Sequence, residues 1–332
     1  MADPVLDIRG LHTSFFTFMG EVQAVRGMDL SVGRTEIVGV VGESGSGKSV
    51  MALSAARLLA DNGKVLAGKV LFGGKDVLAL PEKQMRRVRN SGIAMVFQDP
   101  MTSLNPTIRV GTQIIERIRA FKELPKDKAR ERAIELLTLV KIPEPEKRMR
   151  SYPFEMSGGM RQRLMLAIAL SMKPRLLIAD EPTTALDVTI QNQILRLIKN
   201  LRDETGSSIL LITHDLGVVA ETCQRVAVMY GGKVMEQGDV REIFYRTAHP
   251  YTQGLKASLP GAGQEGGKLF SIPGSPPSLL APPKGCPFAD RCGRAMRVCA
   301  AETPPAYRLS PTHTAACWLH DPGCSAGKEG MP

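Results

Sequence analysis

Gly42-Glu43-Ser44-Gly45-Ser46-Gly47-Lys48-Ser49 sets two glycines around four residues and follows them with Lys-Ser. That spacing suits a loop wrapped around a polyphosphate. Gly42, Ser44, Gly45, Ser46 and Gly47 would turn backbone N–H groups toward phosphate oxygens, and a following helix N-terminus would favour the negative charge. Lys48 would reach the β- and γ-phosphates, and Ser49 would hold Mg²⁺. A second pattern supplies the remaining chemistry. Leu176-Leu177-Ile178-Ala179-Asp180-Glu181 is an apolar run ending in two carboxylates. Asp180 would bind Mg²⁺, and Glu181 would polarise an attacking water as general base. Gln98, after the run Ile93–Phe97, is placed to touch both Mg²⁺ and that water, and His214, after Ile209–Thr213, to touch the γ-phosphate. Ser157-Gly158-Gly159 offers another anion-binding turn at a helix start, although alone it reads more readily as an N-cap followed by flexible glycines. The chemistry implied is binding of ATP with Mg²⁺ and hydrolysis of its terminal phosphate.

These residues need strands that end at one edge of an open sheet. Ile37–Val41, Ile93–Phe97, Leu176–Ala179, Ile209–Thr213 and Val226–Tyr230 are short apolar runs of the kind buried on both faces. Val50–Leu59 is rich in Ala, Leu and Met without Gly or Pro and reads as the helix after the loop. Val5–Ser14 and Val22–Val32 read as an antiparallel pair ahead of it, with Phe15-Phe16-Thr17-Phe18 between them. In a chain with 5% aromatics, three rings in four residues stand out, and Phe15 is the candidate to stack on adenine. Val110–Phe121 and Lys128–Val140 carry helical periodicity with charged outer faces. They imply a helical subdomain over about residues 100–172. The fold class expected is α/β, with a mixed sheet core, an antiparallel β subdomain and a helical subdomain.

A chain of 332 residues with 43% hydrophobic content has ample core, and no apolar run reaches membrane-spanning length. Met1-Ala2-Asp3-Pro4 lacks a basic segment followed by an apolar stretch, so no secretory signal is expected. The formal charge of +10 comes from scattered residues and small clusters such as Lys83–Arg89, more in keeping with solvated helix faces than with a nucleic-acid groove. Five of the six cysteines crowd the last fifth of the chain: Cys286, Cys292, Cys299, Cys317 and Cys324. In an ATP-using protein of a reducing compartment such a cluster points first to a metal.

Six elements now stand in order: the aromatic loop, the Gly-rich loop, Gln98, Ser157-Gly158-Gly159, Asp180-Glu181 with Asp187, and His214. The joint pattern resembles the nucleotide-binding subunit of an ABC transporter over about Leu6–Leu259. Phe97-Gln98-Asp99-Pro100-Met101-Thr102-Ser103-Leu104-Asn105-Pro106 and His249-Pro250-Tyr251-Thr252 narrow the resemblance to the oligopeptide/dipeptide/nickel importer ATPases. Met160-Arg161-Gln162-Arg163 resembles one of that system's two ATPase subunits. Met156 and Met160 depart from the usual Leu and Gln of the signature.

The resemblance implies a P-loop NTPase cassette over residues 1–259 and a C-terminal extension over 260–332. ATP would lie between two cassettes, the P-loop of one facing Ser157, Gly158 and Gly159 of the other, with Asp187 in the same site. The partners implied are a second ATPase subunit (a paralogue favoured over an identical copy), two membrane permease subunits, and through them an external substrate-binding protein. Nucleic acid is not expected as a partner, and the place implied is the cytoplasmic side of the cell membrane. Dipeptide, oligopeptide, nickel chelate and glutathione are equally compatible as cargo. Residues 261–267 read as a flexible linker and Pro273–Pro283 as extended. The four thiols Cys286, Cys292, Cys299 and Cys317 have five, six and seventeen residues between them. That spacing matches neither a paired zinc motif nor a ferredoxin run, so zinc, an iron–sulfur cluster and metal-free thiols stay open. The resemblance implies a [4Fe-4S] site.

Overall fold

The computed structural model describes residues 3–97, 99, 103–120, 124–184, 186–259 and 270–323. Gln98, the linker 261–267 and Cys324 lie outside the described residues. The described residues fall into two compact units, one drawn from within 1–5, 32–36 and 79–212, the other from within 6–31, 37–78 and 213–323.

The second unit carries the phosphate loop. Its first sheet has the order β2-β1-β4-β5, from strands β1 (Leu6–Thr17), β2 (Gly20–Val32), β4 (Gly63–Phe72) and β5 (Lys75–Asp76). Strands β1 and β4 pair antiparallel from Leu6 opposite Phe72 to Phe15 opposite Gly63. Alternation sends Leu6 and Ile8 inward, as expected for a sheet packed on one face. The phenylalanine cluster therefore belongs to a strand and a hairpin tip rather than to a separate loop. Strand β3 (Ile37–Val41) has all five residues buried and pairs in parallel with β9 (Arg225–Tyr230), Val41 opposite Val228. Antiparallel neighbours continue outward: β9 with β10 (Lys233–Asp239), β10 with β12 (Thr314–Ala315), and β12 with β11 (Tyr307–Arg308). The sheet is mixed, and the cysteine-bearing extension supplies its last two strands.

Helix α1 (Lys48–Ala56) follows the loop, α8 (Leu216–Thr222) follows strand β8 (Ser208–Thr213), and α9 (Val240–Tyr245) and α10 (Pro250–Ala257) follow β10. The extension adds only a short helix, α11 (Arg297–Ala301), and single turns. It is seated by Phe288, 3% exposed, whose ring lies 5.4 Å from that of Tyr230 and 5.2 Å from that of Tyr251. Burying such a ring contributes about 1.5–3 kcal/mol. A polar seat lies beside it. Glu236, 1% exposed, accepts from the backbone N–H groups of Ala248 and His249 and pairs with His313 Nε2 at 2.8 Å.

The first unit holds three parallel strands: β6 (Ile93–Val96) pairs with β7 (Leu176–Asp180), and β7 with β8 (Ser208–Thr213). Its helices are α2 (Glu82–Ser91), α3 (Val110–Arg119), α4 (Lys126–Leu139), α5 (Pro145–Arg148), α6 (Gly158–Leu170) and α7 (Val188–Thr205). Helices α3, α4 and α6 pack on one another, and Ile114 and Ile118, Ala133 and Leu136, and Leu164 and Leu166 are buried on them. The basic cluster Lys83–Arg89 lies on α2, where Lys83, Arg86 and Arg87 face solvent and Arg89 pairs with Glu82.

His249 gives this fold an acid-sensitive point. It caps α10, its Nδ1 accepting from the Tyr251 N–H at 3.0 Å. Burial first of all pushes its pKa down from 6.5 to about 4, against the pull of Glu236. The unfolded chain therefore binds the extra proton first. The stabilisation is complete above about pH 6.5 and is lost as pH falls toward about 4. Full loss amounts to about 3 kcal/mol. Thermal melts between pH 7.5 and 4.5 should show His249→Asn, which can still cap, with a shallower acid slope than wild type.

Candidate nucleotide site

The phosphate loop is held by backbone crowding. A Cβ on Gly42 would lie 2.1 Å from the Met229 carbonyl oxygen, and one on Gly47 would lie 2.3 Å from that of Ala24. Gly47 also has φ 100°, a region L side chains avoid. No other residue fits either position. Ser46 N–H donates to the Glu43 carbonyl at 3.2 Å, and Gly232 N–H to that of Ser46 at 3.1 Å. Lys48, 5% exposed, donates through Nζ to the carbonyls of Gly42 at 2.7 Å and Glu43 at 2.9 Å. The ammonium thus sits inside the loop's concavity, while Ser44 and Gly45 face solvent and Ser49 is half-buried in the first turn of α1.

In the other unit, the five residues of β7 are buried and end in Asp180. Glu181 follows at φ 46°, a left-handed conformation disfavoured by about 1–2 kcal/mol. Three hydrogen bonds hold it there. Its N–H donates to the Ile212 carbonyl at 2.9 Å, its carbonyl accepts from the Thr184 N–H at 3.2 Å, and its Oε2 accepts from the Thr184 hydroxyl at 2.8 Å. Strain secured at a carboxylate is common where chemistry is done. His214, in the unit of the phosphate loop, is exposed just past β8, and Asp215 beside it caps α8 by accepting from the N–H groups of Gly217 and Val218.

Ser157 is the N-cap of α6, its hydroxyl accepting from the Met160 N–H at 3.4 Å. The N-cap reading of Ser157-Gly158-Gly159 is the one this geometry shows, with both glycines in the first turn of the helix. A Cβ on Gly158 would sit at ordinary contact distance from Leu186, whereas one on Gly159 would lie 2.6 Å from Ile190 Cγ2. Gly159 is therefore what lets α6 lie against α7. Asp187 caps α7 through Oδ1, which accepts from the Ile190 N–H at 2.9 Å.

Phe15 is half-buried, its ring laid over the backbone of Gly63. The most open rings of that cluster are Phe16, 45% exposed, and Phe18, which is fully exposed. Residues that the motif reading leaves without a role surround Glu43. The Tyr251 hydroxyl accepts from the Glu43 N–H at 2.9 Å, so the His249-Pro250-Tyr251-Thr252 signal marks a support for the phosphate loop.

Cys286, Cys292, Cys299 and Cys317 are thiols, all but Cys292 buried. Each sulfur accepts a backbone N–H: from Phe288 and Leu319 at Cys286 and Cys317, and at 3.4 Å from Arg294 and Met296 at Cys292 and Cys299. Burial first of all pushes the Cys286 thiol up to about 12 and Cys317 up to about 11, with the neighbouring cysteines adding to both. Among the described residues no three His, Cys, Asp or Glu side chains are grouped to hold a metal ion. The donor set fits a thiolate-bound group in number, chemistry and N–H···S support. The described geometry does not draw it together.

Two family descriptions match: ABC transporter over residues 25–184, and oligopeptide/dipeptide transporter, C-terminal region, over residues 235–299. The oligopeptide transport ATP-binding protein OppD of Bacillus subtilis (strain 168) is 51% identical over 96% of this chain and 89% of its own length. The chain belongs to the oligopeptide/dipeptide family of ABC transporter ATP-binding subunits. The dipeptide transport ATP-binding protein DppD of the same organism is 50% identical over 96% of this chain and 96% of its length. Among solved structures, a dimeric post-hydrolysis ATP-binding cassette bound to ADP and Pi matches at TM-score 0.64 and 26% identity, over 71% of this chain and 99% of that one. CbiO1 from Clostridium perfringens matches at TM-score 0.64 and 30% identity, over 73% of this chain and 91% of that one. The fold is thus the ABC cassette, a P-loop ATPase with mixed α/β sheets.

The close approach at Gly159 makes a specific demand on this cassette. Gly159→Ala should lower stability by about 1–3 kcal/mol through overpacking against Ile190, read as a lower midpoint in urea, with Gly158→Ala much milder.

Proposed function

We propose that this ABC ATPase energises the import of di- or oligopeptides, with a related small solute as the second cargo class. The observation that carries the reading is the Asp180-Glu181 pair at the end of β7, Asp180 buried and Glu181 half-buried in a left-handed conformation, in a chain that also builds the Lys48 loop. In this reading ATP rests on Gly42, Ser44, Gly45, Ser46, Gly47 and Lys48, with Phe15 against the adenine. Ser49, Gln98 and Asp180 hold Mg²⁺. Glu181 takes the proton of the attacking water, and His214 and Gln98 orient the γ-phosphate and that water. Ser157, Gly158, Gly159 and Asp187 complete the site of a partner cassette, a paralogue by preference. Two permease subunits and an external substrate-binding protein make up the rest of the importer. No described helix is long and apolar enough to cross a membrane, in keeping with peripheral attachment, proposed at the cytoplasmic face.

The cassette spans residues 1–259 and the extension 260–332. Cys286, Cys292, Cys299 and Cys317 would hold an iron–sulfur cluster, zinc being the alternative. Such a group would staple the chain from residue 286 to residue 317, and its binding must expel the thiol protons. Metal analysis of anaerobically purified protein should find about four irons per chain; one zinc or no metal would reject the cluster and leave the ATPase reading untouched. Serine at Cys286 and Cys292 should remove that metal and lower the thermal midpoint.

The transport reading is tested in vesicles carrying the permease. Glu181→Gln should bind ATP and abolish steady-state hydrolysis and peptide uptake together, and Lys48→Ala should lose nucleotide binding. Normal turnover in Glu181→Gln, or stimulation by nucleic acid instead of permease, would refute it.

A further inference from the structure

Glu43 is an odd choice for a loop that must accept a triphosphate. It stands between Gly42 and Ser44 at the mouth of the concavity, and its carbonyl accepts from Lys48 Nζ and Ser46 N–H. An unpaired carboxylate there would repel the anion that the loop exists to bind. The extension supplies the answer from 248 residues away. Arg291 donates Nη1 to Glu43 Oε2 at 2.7 Å and Nη2 to Glu43 Oε1 at 3.2 Å, the paired fork of a guanidinium on a carboxylate.

Its other donors are all engaged. Nη1 also reaches the Tyr230 hydroxyl at 3.0 Å, Nη2 the Ile272 carbonyl at 3.1 Å, and Nε the Pro273 carbonyl at 2.8 Å. The Arg291 side chain is 6% exposed and that of Glu43 is 25% exposed. A surface ion pair of two flexible chains does little. This one has a planar cation whose five N–H groups are fixed by separate acceptors, so its orientation is set before nucleotide arrives. Arg291 ends a single helical turn, Ala289–Arg291, anchored one residue earlier by the buried ring of Phe288.

We propose that Arg291 is a positioning residue for nucleotide binding: the C-terminal extension reaches back to neutralise and hold Glu43, so that the phosphate loop accepts MgATP. The effect passes through Glu43, and Arg291 itself touches no nucleotide. This rests on the P-loop reading above, and it gives the extension a part in ATP affinity apart from any metal it holds.

The test is a charge cycle in the full-length chain, with the dissociation constant of Mg²⁺ and the non-hydrolysable analogue AMP-PNP measured by calorimetry. Arg291→Gln should weaken binding about tenfold, within the ~5- to 150-fold span of ordinary site coupling. In the assembled importer KM for ATP should rise with it while kcat changes by less than about threefold. Adding Glu43→Gln to Arg291→Gln should restore affinity to within about threefold of wild type, because the orphaned charge is gone. Wild-type affinity in Arg291→Gln, or failure of Glu43→Gln to rescue it, would overturn the proposal and leave Arg291 a structural anchor only. If Arg291→Gln does not fold, Glu43→Gln alone decides. Affinity within about threefold of wild type, or tighter, supports neutralisation, and a greater loss overturns it. Lys48→Ala is the reference, since its retention of binding would refute the P-loop reading itself.

Discussion

The close passage of the phosphate loop between two backbone carbonyls, those of Ala24 and Met229, is the constraint on which the nucleotide unit depends. Distances of 2.1 and 2.3 Å to a hypothetical Cβ mean that strands β2 and β9 are drawn in as far as glycine permits. The consequence is geometric. The loop lies flat against both strands, its carbonyls at Gly42 and Glu43 accept from Lys48 Nζ, and the ammonium is buried within the loop. A longer side chain at either glycine would displace strand and loop together. The phosphate-binding chemistry is thus a property of the sheet as much as of the loop.

A parallel logic holds at the carboxylates. Burying β7 on both faces fixes the height at which Asp180 emerges, and the left-handed turn at Glu181 redirects the next side chain within one residue. A glycine would adopt that conformation freely but would bring no carboxylate. The conformational penalty of about 1–2 kcal/mol is comparable with what two or three hydrogen bonds of ordinary strength return, and Ile212 and Thr184 supply them.

Strands buried on both faces are the elements most legible in sequence, and β3, β6, β7, β8 and β9 stand where their apolar runs place them. Helix ends are read less well. The composition of Leu164–Met172 marks a helix, yet α6 starts at Gly158, because two glycines of poor propensity are held in the first turn by the Ser157 cap and by packing on Ile190. Helix α7 carries no motif beyond its Asp187 cap, and the motif reading passes over it. The strands β11 and β12, two residues each, have no period to detect; they exist because β10 offers an edge. The partners of Glu43 were hidden for a different reason. Arg291 lies 248 positions away, and no local pattern relates an arginine before a cysteine to a glutamate inside a glycine loop.

The form of the extension follows from the same dependence on its neighbours. Between residues 270 and 323 the regular structure amounts to one five-residue helix, two two-residue strands and single turns, too little to bury a core alone. Stability must come from what it touches. Phe288 enters the aromatic nest of Tyr230 and Tyr251, Arg26 donates to the Pro283 carbonyl at 2.8 Å, His313 pairs with buried Glu236, and β12 extends the edge of β10. Each of these partners precedes residue 260 in the chain, and Tyr251 also accepts from the Glu43 N–H of the phosphate loop. A segment with so little core of its own is held in place by those contacts, and its order depends on the residues that make them.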